Sequence, residues 1–180
     1  MTEDAPDFEL PGIVDESVET YRLSDTVTDE QAILLLFYPF DFSPVCTTEL
    51  CAIRDAEWFE FTPGVSVWAI SGDSVYAHRT FSEEYSLNFP LLSDFDGSVA
   101  EEYEVCYETH EEHARVPKRA VFVIDGNQQI RYTWSTDNAY EKPDFAPVKK
   151  AVDELESIDE QLVPGNVELE VNYEESTVSN

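Results

Sequence analysis

Cys46 stands where a loop enters a predicted helix, and this position favours a reactive thiolate. A buried apolar strand ends at Pro39, and helix-forming residues begin at Cys46. The unpaired backbone N–H groups and the dipole at a helix N-terminus stabilise negative charge, so they lower the pKa of a thiol placed there. The hydroxyl of Ser43, about one helical turn before Cys46, can donate a hydrogen bond to the sulfur. This pattern predicts thiol redox chemistry at Cys46.

Two strands and two helices are predicted around this cysteine. Residues 32–38 have the continuous apolar run of a strand covered on both faces, and residues 65–70 predict a second buried strand. A helical pattern follows each strand, over residues 46–59 and 74–85. Because strand and helix alternate, the order is typical of a parallel crossover unit in an α/β domain.

Later segments add antiparallel strands to the predicted sheet. Residues 120–124 are apolar, residues 129–134 alternate polar and apolar side chains, and the two segments flank an Asp-Gly turn, which predicts a hairpin. The sheet should therefore be mixed. The other predicted elements are a strand over residues 17–23, a short helix near 99–103 and a last helix over 145–158.

The residues around Cys46 resemble the active-site signature of the peroxiredoxins. That signature combines a proline, a threonine or serine and a peroxidatic cysteine, and Pro39, Ser43 and Cys46 have its spacing. The resemblance covers roughly residues 4–155 and is strongest to the peroxiredoxin Q, or bacterioferritin comigratory protein, branch, with some likeness to the alkyl hydroperoxide reductase E branch. The further segments that match in chain order are residues 47–49, residues 71–74 with His78 beyond them, residues 89–94 and residues 119–125.

This resemblance implies a thioredoxin-like fold and a thiol peroxidase that needs no cofactor. Cys46 would attack the O–O bond of hydrogen peroxide or an organic hydroperoxide and become a sulfenic acid, while water or an alcohol leaves. Arg119 would hold the thiolate ionised and bind the peroxide oxygens, and Ser43 would polarise the reacting pair. Glu49 would orient Arg119, and Pro39 would stiffen the loop and help to exclude water.

Cys51 follows Cys46 by five residues, the spacing at which relatives in the peroxiredoxin Q branch carry a resolving cysteine. In a continuous helix this spacing separates the two Cα atoms by about 8.6 Å, whereas a disulfide needs them within about 7 Å. A bond between Cys46 and Cys51 would therefore require the first helical turns to unwind. In the alternative, Cys51 is a buried small hydrophobe and an external thiol attacks Cys46.

The third cysteine and the three histidines predict no metal site. Cys46 and Cys51 lack the two-residue separation of a zinc knuckle, and the chain has no Cys-x-x-Cys, which disfavours a general disulfide reductase. We expect Cys106 to fill the core or an interface; a backup resolving role or a bridge between subunits stays open. His78 either packs near the active-site surface or lies solvated on its helix.

The net charge is extreme: ten Lys and Arg face 39 Asp and Glu, which gives −29 in 180 residues. Such self-repulsion strains a compact fold in dilute buffer, but at molar salt the Debye length is only about 3 Å. The acidic residues are spread along the chain, which predicts a halophilic protein from a salt-rich cytosol. An acidic surface that docks a basic partner is the alternative. Nucleic acid is disfavoured, because clustered Lys and Arg are few.

Length and patterning predict one domain over residues 1–160 and an acidic tail over residues 161–180, which contains no Lys or Arg. The first residues lack the basic start and apolar stretch of a signal peptide. The longest apolar run, residues 32–40, is far shorter than the roughly 20 residues of a membrane helix. We therefore expect a cytoplasmic protein without membrane association.

The resemblance predicts a peroxidase that a thioredoxin-like protein or a small thiol regenerates, acting as a monomer or homodimer. One alternative is a peroxide sensor, in which oxidation of Cys46 changes the surface shown to a partner. A holdase chaperone is another, although the negative charge and the few apolar runs argue against it. Turnover separates the first two, because a sensor reacts once whereas a peroxidase consumes peroxide while reductant lasts.

Overall fold

The computed structural model of the chain describes residues 3–58 and 62–156, which form a mixed sheet with helices around it. The strands are β1 (Glu3–Asp4), β2 (Glu9–Val14), β3 (Ser17–Arg22), β4 (Ala32–Phe37), β5 (Val65–Ser71), β6 (Leu91–Ser93), β7 (Cys106–His110), β8 (His113–Pro117), β9 (Arg119–Asp125) and β10 (Gln129–Thr136). The helices are α1 (Leu23–Thr26), α2 (Pro44–Asp55), α3 (Val75–Tyr85), α4 (Ser98–Glu102) and α5 (Ala146–Glu156). Eight of the described strands lie in the order β1-β10-β9-β4-β5-β6-β2-β3, while β7 and β8 pair as a separate hairpin.

Strand β4 lies inside the sheet, and all six of its residues are buried. It runs parallel to β5 and antiparallel to β9, so that Leu34 lies between Val67 and Val123. Successive side chains of a strand point to opposite faces. Leu34 accordingly packs in one apolar cluster with Leu50 of α2, and Leu35 packs in a second cluster on the other face. Burial on both faces explains why this strand has no polar position.

The predicted crossover unit is confirmed. Strand β5 lies between β4 and β6 and is parallel to both, and α2 and α3 connect these strands in the chain. Helix α2 begins at Pro44, two residues before the predicted start, because the fixed φ of proline suits a first helical position. It ends earlier than predicted, since Ala56 is extended with ψ 100°.

The predicted hairpin is confirmed as well. Strands β9 and β10 are antiparallel, and the carboxylate of Asp125 closes their turn by accepting from the backbone N–H groups of Asn127 at 2.9 Å and Gln129 at 3.0 Å. Strand β3, helix α4 and helix α5 lie at the places predicted for them. The predicted end of the last helix, residues 157–158, lies outside the described residues.

Strands β1, β2 and β6, helix α1 and the β7–β8 hairpin were not predicted. Strand β2 contains Pro11 and Gly12, which argue against a strand. Gly12 is needed there, because a Cβ atom on it would lie 2.8 Å from the ring of Tyr21 on β3. The β7–β8 hairpin was missed because Glu111 and Glu112 form its turn with φ values of 47° and 62°, a conformation usually signalled by Gly or Asn.

The predicted tail, residues 161–180, lies outside the described residues, as does the predicted domain boundary at residue 160. Within residues 3–58 and 62–156, none of the helices has both the length and the apolar character to cross a membrane.

Candidate active site

Cys46 lies in the first turn of α2, directly above the end of the buried strand β4. Ser43 is the N-cap residue, with extended backbone angles of φ −67° and ψ 142°, and Pro44 starts the helix. The Ser43 hydroxyl donates to the carbonyl of Phe40 at 3.1 Å, which closes the loop between strand and helix. Only 1% of Cys46 is exposed. The thiol is thus at a helix N-terminus, as predicted, but shielded from solvent.

Arg119 reaches the thiol from the first position of β9. Its Nη2 donates to Cys46 Sγ at 3.1 Å and to the backbone carbonyl of Ala139 at 2.9 Å, and its Nη1 pairs with Glu49 Oε2. The side chains of Arg119 and Glu49 are both buried. Glu49 lies three residues after Cys46 on α2, so both project from the same helix face. The structure therefore brings Cys46, Glu49 and Arg119 into one contact group.

The electrostatics of this group are dominated by burial. Burial raises the pKa of the Cys46 thiol above its ordinary value, although Arg119, the Phe40 backbone and the Ser43 hydroxyl act in the opposite direction. The prediction of a lowered pKa is therefore wrong for this closed state, because the loss of water outweighs the nearby donors. Burial likewise raises the pKa of Glu49, against the attraction of Arg119.

Pro39 and Phe40 form the wall of the site between β4 and α2. Pro39 is buried. The ring of Phe40 stacks on His110 with 6.2 Å between ring centroids and meets the edge of His113 at 5.0 Å, so the β7–β8 hairpin lies against this loop. Of the predicted site residues, Pro39 and Ser43 therefore shape the loop, Arg119 contacts the thiol, and Glu49 pairs with Arg119.

Cys51 is buried in the same uninterrupted helix as Cys46, and both thiols are free. The separation derived from helix geometry therefore applies, and the two sulfurs are not positioned to bond while α2 is intact. Burial raises the pKa of Cys51. Cys106 lies half-buried at the start of β7 and packs at the edge of the second apolar cluster.

Sequence reasoning missed a buried polar network behind the site. His78 was expected near the active-site surface or in solvent, but it is fully buried. Its Nδ1 lies 2.7 Å from Asp41 Oδ2, and Tyr38 donates to Asp41 Oδ1 at 2.6 Å. The one available signal was the helical spacing of His78 and Phe81, which face the same side of α3 and are both buried. The sequence around Asp41 gave no indication that this carboxylate is buried.

A metal centre finds no support in the described part of the chain, where no three His, Cys, Asp or Glu side chains cluster in a way that could hold an ion.

Comparison with known proteins identifies the same family that the residues around Cys46 resemble. Residues 1–133 match the model of the AhpC/TSA family. A Coxiella burnetii protein assigned as a peroxiredoxin, bcp, is 39% identical over 133 residues, which is 72% of this chain and 84% of that protein. The rice chloroplast protein peroxiredoxin Q, from Oryza sativa subsp. japonica, is 34% identical over 110 residues, which is 61% of this chain and 49% of that protein.

The fold is similar to that of solved peroxiredoxin structures. Peroxidoxin BcpB from Mycobacterium tuberculosis superimposes with a TM-score of 0.70 at 30% identity, covering 87% of this chain and 96% of that one. The predicted thioredoxin-like α/β fold with a mixed sheet is therefore confirmed, as is the resemblance to the peroxiredoxin Q branch. This chain belongs to the AhpC/TSA family and is a peroxiredoxin, an oxidoreductase that reduces peroxides with a thiol.

Proposed function

We propose that Cys46 is the peroxidatic cysteine and reduces hydrogen peroxide and organic hydroperoxides. The observation that carries this proposal is the 3.1 Å contact between Arg119 Nη2 and Cys46 Sγ. It directs a fixed cation at a buried thiol. A guanidinium in this position stabilises both the thiolate and the negative charge that develops on oxygen during its attack.

In the proposed step the Cys46 thiolate attacks the terminal oxygen of the hydroperoxide, so that an S–O bond forms as the O–O bond breaks. Sulfur gives up two electrons and becomes a sulfenic acid, and the second oxygen takes up a proton and leaves as water or an alcohol. Glu49 and the Ala139 carbonyl hold Arg119 in place beforehand, so the donor does not have to reorganise. Ser43 polarises the reacting atoms, and Pro39 keeps the loop rigid.

We assign resolution of the sulfenic acid to Cys51. Its thiol attacks the Cys46 sulfur, a disulfide forms and water leaves. Because both residues lie on α2, the first turns of this helix must open before the bond can form. A thioredoxin-like dithiol then reduces the disulfide. If an external thiol resolves Cys46 instead, α2 can stay intact and Cys51 serves only as packing.

The proposed setting is a salt-rich cytoplasm. The charge of −29 supports it, because repulsion among carboxylates is weak only where salt screens it. We propose a monomer or homodimer.

Peptide-mapped mass spectrometry after one equivalent of hydrogen peroxide in molar potassium chloride tests these roles. We expect the wild-type protein to form a Cys46–Cys51 disulfide. Cys51→Ser should stop at the sulfenic acid of Cys46 and proceed to sulfinic acid with excess peroxide. Cys106→Ser is the matched control and should behave as the wild type.

Three results would contradict the assignments. If Cys46→Ser consumes peroxide as fast as the wild type, Cys46 is not the peroxidatic residue. If wild type and Cys51→Ser turn over equally with a small thiol and no disulfide appears, resolution is external. A protein that is oxidised once and consumes no further peroxide in the presence of reductant is a sensor.

A further inference from the structure

Buried hydrogen bonds link the loop before Cys46 to helix α3 and strand β6. His78 Nδ1 lies 2.7 Å from Asp41 Oδ2, and His78 Nε2 lies 2.9 Å from the carbonyl oxygen of Leu92. The second carboxylate oxygen of Asp41 accepts the hydroxyl of Tyr38 at 2.6 Å. The side chains of His78 and Asp41 are 0% and 2% exposed, so water does not compete for these contacts.

The partners determine where the protons are. The Leu92 carbonyl can only accept a hydrogen bond, so His78 Nε2 must carry a proton. The short contact between Nδ1 and Asp41 then requires a second proton between ring and carboxylate. The two residues therefore share one proton as a buried pair, and removal of either partner leaves the other without its contact at high cost.

Asp41 also ties the loop to the end of β5. Its backbone N–H donates to Asp73 Oδ2 at 2.9 Å, and the same oxygen accepts the hydroxyl of Ser71 at 2.7 Å. The next residue, Phe42, has a φ of 63°, a conformation that costs energy for a non-glycine residue. The contacts of Asp41 therefore hold a loop that would relax without them.

This loop supplies two of the groups that act on the thiol. The backbone of Phe40 and the hydroxyl of Ser43 both act to lower the pKa of the Cys46 thiol. They flank Asp41 in the chain, and the Ser43 hydroxyl donates to the Phe40 carbonyl at 3.1 Å. A displacement of Asp41 therefore displaces both groups. Neither Asp41 nor His78 has a hydrogen bond to the sulfur among the contacts that the structure describes.

We propose that Asp41 and His78 are positioning residues for the peroxide reaction, and that their shared proton fixes the loop so that Phe40 and the N-cap residue Ser43 stay in place at the start of the helix that carries Cys46. The proposal rests on the proposed role of Cys46. It assigns a function to two residues that act on the reacting atoms only through the backbone of the loop.

Asp41→Asn separates hydrogen bonding from charge. Its amide oxygen can accept from Tyr38 while its amide nitrogen donates to Nδ1 of a neutral His78, which keeps Nε2–H on the Leu92 carbonyl. The loop should therefore stay in place. Asp41→Ala and His78→Leu break the link. The double variant Asp41→Ala/His78→Leu also breaks it but leaves no buried carboxylate unpaired, so it should fold more readily than His78→Leu.

The test measures two properties of Cys46 in each variant: the rate constant with hydrogen peroxide and the pH midpoint of its alkylation by iodoacetamide, mapped by peptide. In Asp41→Ala and the double variant we expect the rate constant to fall roughly tenfold to a hundredfold. The midpoint should rise by about one pH unit, because the loop groups that favour the thiolate are displaced. Asp41→Asn should keep a rate constant within about threefold of the wild-type value, a much smaller change than that expected for Asp41→Ala.

Val27→Ala is the matched control, because Val27 is buried in the apolar cluster on the other face of the sheet. It should lower the melting temperature but leave both Cys46 measurements unchanged. The proposal is overturned if Asp41→Ala and the double variant keep the wild-type midpoint and rate, or if Asp41→Asn is as impaired as Asp41→Ala. Should the wild-type thiol not react with peroxide, the proposed function fails, while the alkylation midpoint still decides the positioning role.

Discussion

At the scale of single residues, Arg119 makes a set of contacts that a lysine could not make. One guanidinium contacts Cys46, Glu49 and the Ala139 carbonyl at the same time. Its planar fork of donors makes this possible, whereas a lysine ammonium is a single compact donor group on a flexible stem. The site therefore depends on the geometry of Arg119 as well as on its charge.

Arg119→Lys tests this dependence. The variant keeps the charge but loses the simultaneous contacts, so we expect the rate constant of Cys46 with hydrogen peroxide to fall about a hundredfold, as for loss of one transition-state donor. Because Arg119 acts to lower the pKa of the Cys46 thiol against the effect of burial, a poorer contact should also raise that pKa further. Stopped-flow peroxide kinetics over a range of pH measure both effects.

Arg131→Lys is the control for this variant. Arg131 pairs with Asp125 at the opposite end of β9 and β10, with 2.6 Å between Nε and Oδ2, and should tolerate the change without effect on the rate. A rate for Arg119→Lys within twofold of the wild type would show that charge alone suffices.

Residue types and spacing predicted much of the site but not its support. The position of Cys46 at a helix N-terminus indicated its chemistry, and the family resemblance supplied the roles of Arg119 and Glu49. The link between Asp41 and His78 could not be predicted, because the two residues are 37 positions apart and meet only after β4, β5 and α3 have packed. The raised pKa of Cys46 was missed for a related reason: the degree of burial depends on the whole loop and not on the helix terminus alone.

At the scale of elements, α2 carries both cysteines and the partner of Arg119. A disulfide between Cys46 and Cys51 must unwind the segment between them, and Glu49 lies in that segment. Opening the helix therefore also separates Glu49 from Arg119. The oxidised enzyme should differ from the reduced one in the whole contact group.

Hydrogen exchange detects this opening. After one equivalent of peroxide we expect faster amide exchange in the first two turns of α2, residues 44–51, while β4 stays protected because it lies inside the sheet. Oxidised Cys51→Ser is the control and should keep the protection of the reduced protein, because it cannot form the disulfide. Unchanged exchange in a wild-type sample shown to contain the Cys46–Cys51 bond would refute the unwinding step.

Secondary-structure elements were predictable where the pattern of apolar residues matches the faces that the element buries. Strand β4 and its two neighbours, β5 and β9, follow from their largely apolar sequences, since a strand covered on both faces is mostly apolar. Strand β2 was not predictable, because Pro11 and Gly12 are tolerated only through the particular packing of Tyr21. The turn of the β7–β8 hairpin is formed by two glutamates. Because it contains no Gly or Asn, the local sequence did not predict a turn there.

At the scale of the whole molecule, the net charge of −29 should govern stability. Helix α3 illustrates the problem, because Glu83 and Glu84 lie in its last turns beside the negative end of the helix dipole, with no basic residue there. Each such carboxylate costs a few tenths of a kcal/mol or more at low ionic strength. Salt reduces that cost by screening, which links the stability of the fold to the medium around it.

Thermal unfolding in potassium chloride measures this link. Between about 0.1 M and 1 M salt the Debye length falls from about 10 Å to 3 Å, so we expect the melting temperature to rise. Glu83→Gln/Glu84→Gln removes two of the repelling charges, and it should be more stable than the wild type at low salt and nearly equal to it at molar salt. Convergence of the two curves identifies screening as the cause, because a general salting-out effect would raise both in parallel. A melting temperature that does not change with salt would mean that the acidic surface serves another purpose, such as docking of a basic partner.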